Sequence, residues 1–386
     1  MINENSKIAI IGDNNFAETI INKLINDKIY NITCIITNNF ESSKFKNIPM
    51  INIEKIKKYY NTLFDEILVL DDMPYKSEFY YDLYKAGIEN VSIMIKESEE
   101  LFEGNKISKK CLQTYNLQGK PVLKYVEMHI TDVCNLRCKG CTHFANLFKE
   151  NEISFESFCN DIDTLSQNFN IPVIRLMGGE PLLNKDLSKY LTYTRSKFPL
   201  SKIFLVSNGL LIPTMSDQLC NCLNKEKITI NITVYKPTHE IIEKIDKFLN
   251  NKKIEHYYGQ GHRNYSTKDI ISQFHTCLTI NNEREINNSG FINCYGKYCW
   301  MVRGGLISKC CYPLMVYKLN EIYNTNFKVD KTDCLKLSEF KDGWDIVEKL
   351  SKPIAFCKYC SYTSVDYKWE GFIKDPLISD FVKKEK

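Results

Sequence analysis

Three cysteines with a fixed spacing constrain this chain more than any other feature. Cys134, Cys138 and Cys141 lie in the stretch Cys-Asn-Leu-Arg-Cys-Lys-Gly-Cys, shortly after the apolar run Val126–Ile130. Three closely spaced thiolates on one loop can hold three irons of a cubane cluster and leave the fourth iron without a protein ligand. A zinc ion would need a fourth ligand, which His143 could supply. The spacing therefore predicts a metal centre, which is either an iron–sulfur cluster or a zinc ion.

The number of cysteines bears on the cellular compartment. The chain has 16 cysteines in 386 residues. Small secreted proteins use many cysteines for disulfides, but this chain is large and its first residues lack the charged-then-apolar pattern of a secretion signal. No apolar run approaches the ~20 residues needed to cross a bilayer. We therefore predict a cytoplasmic protein without membrane contact, whose clustered cysteines bind metal.

Charge and length bound the partners and the number of domains. The formal charge of +4 is spread along the chain, without a long basic tail or an Arg-rich stretch interleaved with aromatic residues. This pattern gives no support for a nucleic-acid partner, and we predict none. A chain of 386 residues is expected to form two or three domains.

The first hundred residues predict a small α/β domain. Apolar runs at Lys7–Ile11, Ile32–Ile36, Glu66–Leu70 and Val91–Met94 have the length of buried strands, with helical patterns between them. This alternation predicts a parallel, doubly wound, Rossmann-like sheet over residues 1–100. The turn that begins at Gly12 has only one of the three glycines of a dinucleotide fingerprint. Besides NAD, a nucleotide portion of a substrate, a docking role and a purely structural role remain open.

A longer α/β run follows residues 101–122, which we interpret as a linker with a short helix. Five strands are predicted at Val126–Ile130, Val173–Met177, Ile203–Ser207, Ile228–Val234 and Ile254–Tyr258. Helical patterns are predicted at Phe155–Asn168, Asp186–Lys197, Pro213–Asn224 and His239–Asn250. The alternation predicts a partial (β/α)6 barrel over residues 123–275, in which ligands lie at the carboxyl ends of the strands. The cysteine loop follows the first of these strands.

Glycines and polar residues follow the second and third barrel strands. The second strand ends in Gly178, Gly179 and Glu180. Glycines at a strand end let the backbone approach a ligand closely, and a carboxylate there can accept hydrogen bonds from an ammonium group. The third strand ends in Ser207 and Asn208, which suit a ligand-facing strand end. Both segments would also suit ordinary turns.

The cysteine loop after the first strand of a β/α barrel, followed by Gly-Gly-Glu after the second, resembles the radical S-adenosylmethionine (radical SAM) superfamily over about residues 122–260. The resemblance implies a [4Fe-4S] cluster on Cys134, Cys138 and Cys141. It also implies that S-adenosylmethionine binds the open iron through its amino nitrogen and carboxylate. Electron transfer into the sulfonium would then generate a 5′-deoxyadenosyl radical, with a reductant protein such as flavodoxin or ferredoxin as partner.

The resemblance also assigns roles around the cofactor. The segment 178–180 would contact S-adenosylmethionine, as would Ser207 and Asn208. The family usually has an aromatic residue just before the third cysteine, where this chain has Gly140. Phe144 is therefore the candidate to back the adenine.

A second group of cysteines lies near the end of the chain. The spacing of Cys294, Gly305 and Cys310 resembles the Cys-Gly-Cys hairpin of the SPASM and twitch extensions of this superfamily. Cys357 and Cys360 could supply two more thiolates. Four thiolates would fully ligate an auxiliary iron–sulfur cluster.

Two alternatives concern these cysteines. A full SPASM domain needs a longer cysteine run, so residues 276–386 are predicted to form a twitch-like extension, irregular in structure. Cys299 competes with Cys294 as a ligand, and Cys311 competes with Cys310. A structural zinc site made of four thiolates is the alternative to a cluster.

These features predict a radical SAM enzyme that abstracts hydrogen from an unactivated C–H bond. If the auxiliary cluster accepts an electron, the enzyme oxidises its substrate, for instance a sugar hydroxyl to a ketone. If a thiol such as Cys299 or Cys311 returns a hydrogen, the outcome is epimerisation. A small molecule such as a nucleotide-linked sugar is favoured over a peptide or protein, because no recognisable peptide-binding module precedes the barrel. A non-catalytic iron–sulfur or zinc scaffold is the alternative from another class, against which the intact Gly-Gly-Glu segment argues.

Overall fold

The chain forms two compact units. The computed structural model describes residues 2, 6–12, 15–28, 30–37, 44–70, 77–94, 101–109, 111–259, 264–279, 294, 296, 299–339 and 342–383. The first unit comprises residues 1–124, 168–172 and 341–351, and the second comprises residues 125–167, 173–340 and 352–386.

The first unit is built on a seven-stranded sheet. Its strands and a separate short ribbon are β1 (Lys7–Ile11), β2 (Asn31–Thr37), β3 (Lys44–Phe45), β4 (Ile48–Asn52), β5 (Glu66–Val69), β6 (Asn90–Met94), β7 (Phe102–Glu103), β8 (Lys106–Ile107) and β9 (Leu112–Asn116). Among the described residues of this unit, three helices follow strands of the sheet: α1 (Asn15–Asp27), α2 (Ile56–Tyr59) and α3 (Ser77–Lys85). The sheet order is β3-β4-β2-β1-β5-β6-β9, in which β4, β2, β1, β5 and β6 are parallel. These five follow the 3-2-1-4-5 part of the doubly wound order, which confirms the predicted fold class.

The second unit contains the predicted run of parallel strands. In chain order its strands are β10 (Tyr125–Thr131), β11 (Val173–Gly178), β12 (Lys202–Ser207), β13 (Ile228–Ile232), β14 (His256–Tyr258), β15 (Gln273–Thr279), β16 (Met301–Arg303), β17 (Leu306–Ser308), β18 (Cys334–Lys336), β19 (Cys360–Lys368) and β20 (Val382–Lys383). Strands β14, β13, β12, β11, β10 and β16 lie side by side and are parallel. Strands β17 and β18 extend this sheet antiparallel. Strands β19, β15 and β20 form a separate three-stranded sheet.

Helices connect the parallel strands. They are α4 (Phe155–Asn168), α5 (Leu187–Lys197), α6 (Asp217–Lys225), α7 (Lys236–Glu240) and α8 (Ile242–Asn251), followed later in the chain by α9 (Cys311–Met315) and α10 (Tyr317–Tyr323). The first of these begins and ends at the predicted residues. All seven residues of β10 are buried, as expected of a parallel strand covered on both faces.

Side chains along the parallel strands of the second unit point alternately to two faces of the sheet, one apolar and one that also carries charged residues. Tyr125 on β10 packs in a cluster with Val173, Phe204 and Tyr257 from neighbouring strands. Side chains two residues apart point to the same face, so Glu127 on β10 shares the face of Tyr125. This face therefore carries charged side chains beside its aromatic cluster.

Two expectations about the first unit were wrong or incomplete. The linker at residues 101–122 was expected to hold a short helix, but it contains β7, β8 and β9 instead, and β9 pairs antiparallel with β6. The helix Gly343–Leu350, far along the chain, also belongs to this unit. Its Trp344 stacks on Tyr84 with ring centroids 4.6 Å apart and donates a hydrogen bond from Nε1 to the carbonyl of Leu117. Contacts between residues so far apart in the chain produce no local sequence pattern from which they could be predicted.

Within the described residues, no helix has both the length and the apolar character required to cross a membrane.

Candidate functional site

The cysteine loop begins where β10 ends, and its three thiols line one pocket in the second unit. Cys134, Cys138 and Cys141 all border this pocket. Burial, together with the nearby Cys141, raises the pKa of Cys134 to about 11. Burial also raises the pKa of Cys138, with contributions from the other two thiols. Burial also raises the pKa of Cys141, so all three thiols resist ionisation, which fits a site where metal charge drives their deprotonation.

Three thiols on one loop fit the donor set of a cubane cluster. In a cubane each thiolate binds a different iron, so the three sulfurs need not converge on one point. Among the described residues, no three His, Cys, Asp or Glu side chains are arranged around one ion position. His143, the possible fourth zinc ligand, has its Nδ1 2.7 Å from Nε2 of His129.

The glycine pair at the end of β11 lies against the base of the cysteine loop. Gly178 has a φ of +146°, and a Cβ there would lie 1.9 Å from the carbonyl oxygen of Thr131. A Cβ on Gly179 would lie 2.1 Å from the carbonyl oxygen of Val133. The Gly179 amide donates to Thr131 and the Glu180 amide donates to Val133. Both glycines also border the pocket. Their lack of a side chain therefore lets the cysteine loop pack closely and also leaves space in the pocket.

Glu180 connects the ends of two neighbouring strands. Its carboxylate is fully buried and accepts hydrogen bonds from the Leu182 amide, the Ser207 hydroxyl and the Asn208 amide, at 3.1, 2.8 and 2.7 Å. Burial raises the pKa of Glu180 to about 7, although these hydrogen bonds act in the opposite direction. The carboxylate therefore holds β11 to β12, and its contact with an ammonium group stays a prediction.

Asn208 lies between this strand end and the cysteine loop. Its side-chain nitrogen is 2.8 Å from Oδ1 of Asn135 and 3.8 Å from Sγ of Cys134. Its carbonyl oxygen accepts a hydrogen bond of 2.6 Å from the Thr238 hydroxyl. Ser207 and Asn208 both border the pocket, and their contact with a cofactor stays a prediction.

The aromatic side chains at the site are arranged differently from the expectation. Phe144, the candidate to back the adenine, is 1% exposed and packs against Tyr312 and Phe381. Among the described residues that border the pocket, the large aromatic side chain is Tyr235, which stacks on Trp369. A role for Phe144 toward adenine stays a prediction.

A histidine network beside the pocket was missed by the sequence analysis. Asp132 is buried and accepts two hydrogen bonds from Arg303, at 2.7 and 3.1 Å. Burial would raise the pKa of Asp132, but the hydrogen bonds from His129 and Arg303 hold it near about 2. Burial lowers the pKa of His129 to about 4, so this imidazole is neutral. An ionised carboxylate only accepts, so we assign the His129 proton to Nδ1, and Nε2 accepts from His143.

A segment near the end of the chain crosses the cysteine loop. We call residues 369–374 the C-terminal strap. The Lys139 amide donates to the carbonyl of Glu370 at 2.8 Å, and the Phe372 amide donates to the carbonyl of Leu136 at 2.6 Å. No sequence motif marks this segment, and its partners lie more than two hundred residues away.

Three of the C-terminal cysteines lie near one another. A Cβ on Gly296 would lie 3.7 Å from Cβ of Cys310 and 3.9 Å from Sγ of Cys294. Burial raises the pKa of Cys357, and the neighbouring Cys294 raises it further. Cys360 begins β19 in the same turn as Cys357. These four are the predicted auxiliary ligands, while residues 280–293, 295 and 297–298 of the same region lie outside the described part.

The two competing cysteines have different surroundings. Cys311 begins α9 and directs its thiol to the carbonyl of Thr142 in the cysteine loop, with Sγ 3.4 Å away. This geometry favours Cys310 as the auxiliary ligand. Burial raises the pKa of Cys299, and both Glu127 and Cys294 raise it further. Cys299 therefore lies close to the charged face of the sheet as well as to the C-terminal cysteines.

The family comparison agrees with this geometry. Residues 128–256 match the model of the radical SAM superfamily. This range contains the cysteine loop, the glycine pair and the strand end at residues 207–208. Residues 128–256 therefore resemble the radical SAM superfamily, whose members bind a [4Fe-4S] cluster together with S-adenosylmethionine.

Two curated relatives resemble the same part of the chain. The GTP 3′,8-cyclase of Clostridium acetobutylicum is 32% identical over 165 residues, which are 41% of this chain and 44% of that protein. The antilisterial bacteriocin subtilosin biosynthesis protein AlbA of Bacillus subtilis is 24% identical over 180 residues, which are 46% of this chain and 38% of that protein. The chain thus spans less than half the length of either relative.

Solved structures give more distant likenesses. BtrN in complex with AdoMet and 2-DOIA is 17% identical, with a TM-score of 0.38 over 62% of this chain and 94% of that chain. Streptococcus suis SuiB bound to precursor peptide SuiA is 13% identical, with a TM-score of 0.32 over 74% of this chain and 75% of that chain. The likeness to the radical SAM superfamily rests on the matched range and on the site itself.

Replacing Gly179 by Ala is expected to displace the cysteine loop, because the new Cβ would lie 2.1 Å from the Val133 carbonyl oxygen. We expect a stability loss of about 1–3 kcal/mol in urea denaturation and a loss of iron uptake on anaerobic reconstitution. Gly119→Ala is the control, since its Cβ would make an ordinary 3.6 Å contact with Asn116. Full stability and iron uptake in the Gly179 variant would contradict the packing role.

Glu180→Gln tests the buried carboxylate through pH. Since burial raises the pKa of Glu180 from 4.5 to about 7, its stabilising contribution is complete below about pH 4.5 and is lost as pH rises through about 7. Gln does not titrate, so the stability advantage of the wild type should shrink across this window, by up to about 3 kcal/mol. Urea denaturation of both proteins at pH 5, 6, 7 and 8 measures the difference. A constant difference would show that Glu180 does not titrate there.

Proposed function

We propose that this chain is a radical SAM enzyme that holds a [4Fe-4S] cluster on Cys134, Cys138 and Cys141 and uses it with S-adenosylmethionine to abstract hydrogen from a substrate C–H bond. The bound pair would supply a 5′-deoxyadenosyl radical by reductive cleavage of the sulfonium. The observation that carries the proposal is that the three thiols border one pocket with Gly178 and Gly179.

The protein's own groups around the pocket have definable tasks. Gly178 and Gly179 keep the pocket wall free of side chains at the strand end. Asn208 contacts the cysteine loop and orients it relative to β12. Tyr235 borders the pocket and stacks on Trp369 of the strap, and this aromatic wall would limit the access of water to a reactive species.

The charged face of the sheet supports a small polar substrate. Glu127 accepts a hydrogen bond of 2.5 Å from the Tyr125 hydroxyl, and Arg175 donates a hydrogen bond of 2.7 Å to Asn231. Both charges act on the pKa of His143, which borders the pocket. A face with a cation, a carboxylate and hydrogen-bonding groups suits a molecule with hydroxyl and anionic groups, such as a nucleotide-linked sugar. One relative's name, GTP 3′,8-cyclase, supports a nucleotide-containing substrate.

A peptide substrate is the second candidate. It is favoured by the likeness to AlbA, a bacteriocin biosynthesis protein. Conversion of synthetic peptides and of nucleotide-linked sugars, each tested with the reconstituted protein, would separate the two candidates through 5′-deoxyadenosine formation.

The C-terminal cysteines bear on the fate of the substrate radical, which is either oxidation or epimerisation. An auxiliary iron–sulfur cluster on Cys294, Cys310, Cys357 and Cys360 would accept an electron from the substrate radical and so complete an oxidation. Return of a hydrogen atom from the Cys299 thiol would instead give epimerisation. A reductant such as flavodoxin or ferredoxin would supply the electron for the first step.

Replacing Cys134, Cys138 and Cys141 together by Ala is expected to abolish formation of 5′-deoxyadenosine, because no ligand for the first cluster remains. Iron and sulfide are counted after anaerobic reconstitution, and 5′-deoxyadenosine is measured after reduction with dithionite. Cys159→Ala, a change at a half-buried thiol on α4, should keep both. Undiminished cleavage in the triple variant, or zinc in place of iron in the wild type, would refute the proposal.

Replacing Cys357 and Cys360 by Ala is expected to lower the iron count from about 8 to about 4 per chain, since one of two four-iron clusters is lost. The first cluster should remain, so cleavage of S-adenosylmethionine continues. An unchanged iron count would show that these two thiols hold no cluster.

A further inference from the structure

We propose that Trp369 sets the reduction potential of the cluster on the cysteine loop, by donating an N–H···S hydrogen bond to Cys138. The inference rests on the proposed function, because it requires the cluster to be bound there. Nothing in the sequence motif or in the family match, which ends at residue 256, assigns a role to Trp369.

The contact itself is direct. Nε1 of Trp369 lies 3.4 Å from Sγ of Cys138. An indole N–H only donates, so the sulfur is the acceptor, and a thiolate accepts more strongly than a thiol. Cys138 is 7% exposed, so water competes little for this sulfur.

The indole is held in place from several sides. Its ring stacks on Tyr235 with centroids 5.3 Å apart and an interplanar angle of 28°. The Trp369 amide donates to the carbonyl of Ser272 at 2.9 Å. A Cβ on Gly371 would lie 2.8 Å from the indole ring, so only glycine leaves room for the ring in this position. The donor is therefore positioned before any cluster binds.

The acceptor is held by the same segment. Arg137, one residue before Cys138, donates from Nε to the carbonyl of Ile373 at 2.8 Å and from Nη2 to the carbonyl of Lys374 at 3.1 Å. The strap also bonds to the loop backbone on both sides of Cys138, at residues 136 and 139. Donor and acceptor thus move together, which favours a hydrogen bond of constant geometry.

The direction of the effect follows from charge. Reduction adds an electron to the cluster and makes its sulfurs more negative. A hydrogen bond to sulfur stabilises the reduced state more than the oxidised state and raises the reduction potential. Loss of the Trp369 donor should therefore shift the potential to more negative values.

The test is a redox titration of the reconstituted full-length protein, followed by electron paramagnetic resonance, for the wild type and Trp369→Phe. The Phe ring retains an aromatic partner for Tyr235 but lacks the N–H. We expect unchanged iron content and a more negative potential. Measuring both proteins also with Cys357 and Cys360 replaced by Ala isolates the signal of the first cluster.

Two further variants sharpen the result. Gly371→Ala retains the indole but forces it to move, so a shift in the same direction is expected. Trp344→Phe removes an indole N–H in the first unit that donates to Leu117, and should leave the potential unchanged.

The outcomes separate the two proposals. An unchanged potential in Trp369→Phe with full iron content would overturn this inference and leave the proposed function standing. Loss of iron from that variant would show a structural role and would also overturn it. A wild-type protein that takes up no iron at the first site would overturn both.

Discussion

The site depends on the close approach of two backbones. The Gly178-Gly179 segment lies against Thr131 and Val133, and two amide-to-carbonyl hydrogen bonds hold the segments together. Any side chain at either glycine would separate them by more than an ångström. Because the cysteine loop starts at this junction, the positions of its thiols follow from a contact between main chains, to which a bound ligand need not contribute.

Electrostatics then define what the pocket can accept. Burial raises the pKa values of the three thiols and of Glu180, which disfavours their charged forms. A cluster with iron charge reverses this preference for the thiols. The Asp132 and Arg303 pair, by contrast, is already ionised, and burial keeps the neighbouring His129 a neutral imidazole. The ionised Asp132–Arg303 pair thus lies outside the pocket. The thiols at the pocket surface become charged when metal binds.

Local patterns predicted much of this arrangement. Strand and helix periodicity identified five parallel strands of the second unit and the full extent of α4, because burial on both faces produces continuous apolar runs. The cysteine spacing and the glycine pair also identified one pocket. The inward direction of Glu180 was not predictable, since a carboxylate at a strand end can point to a ligand or to the next strand. The strap and the Asp132 network were missed because each depends on a partner far away in sequence: 171 residues separate Arg303 from Asp132, and more than 200 separate the strap from the cysteine loop.

Strand β19 has a consequence for how the two cysteine groups relate. It runs from Cys360, an expected auxiliary ligand, to Lys368, next to the tryptophan at Cys138. Nine extended residues span about 30 Å, so one continuous strand joins the two ends. Order imposed at one end lowers the entropic cost of order at the other, and such coupling is reciprocal. If both proposed centres are present, filling the auxiliary site would then strengthen cofactor retention at the first loop, and the two centres would assemble cooperatively.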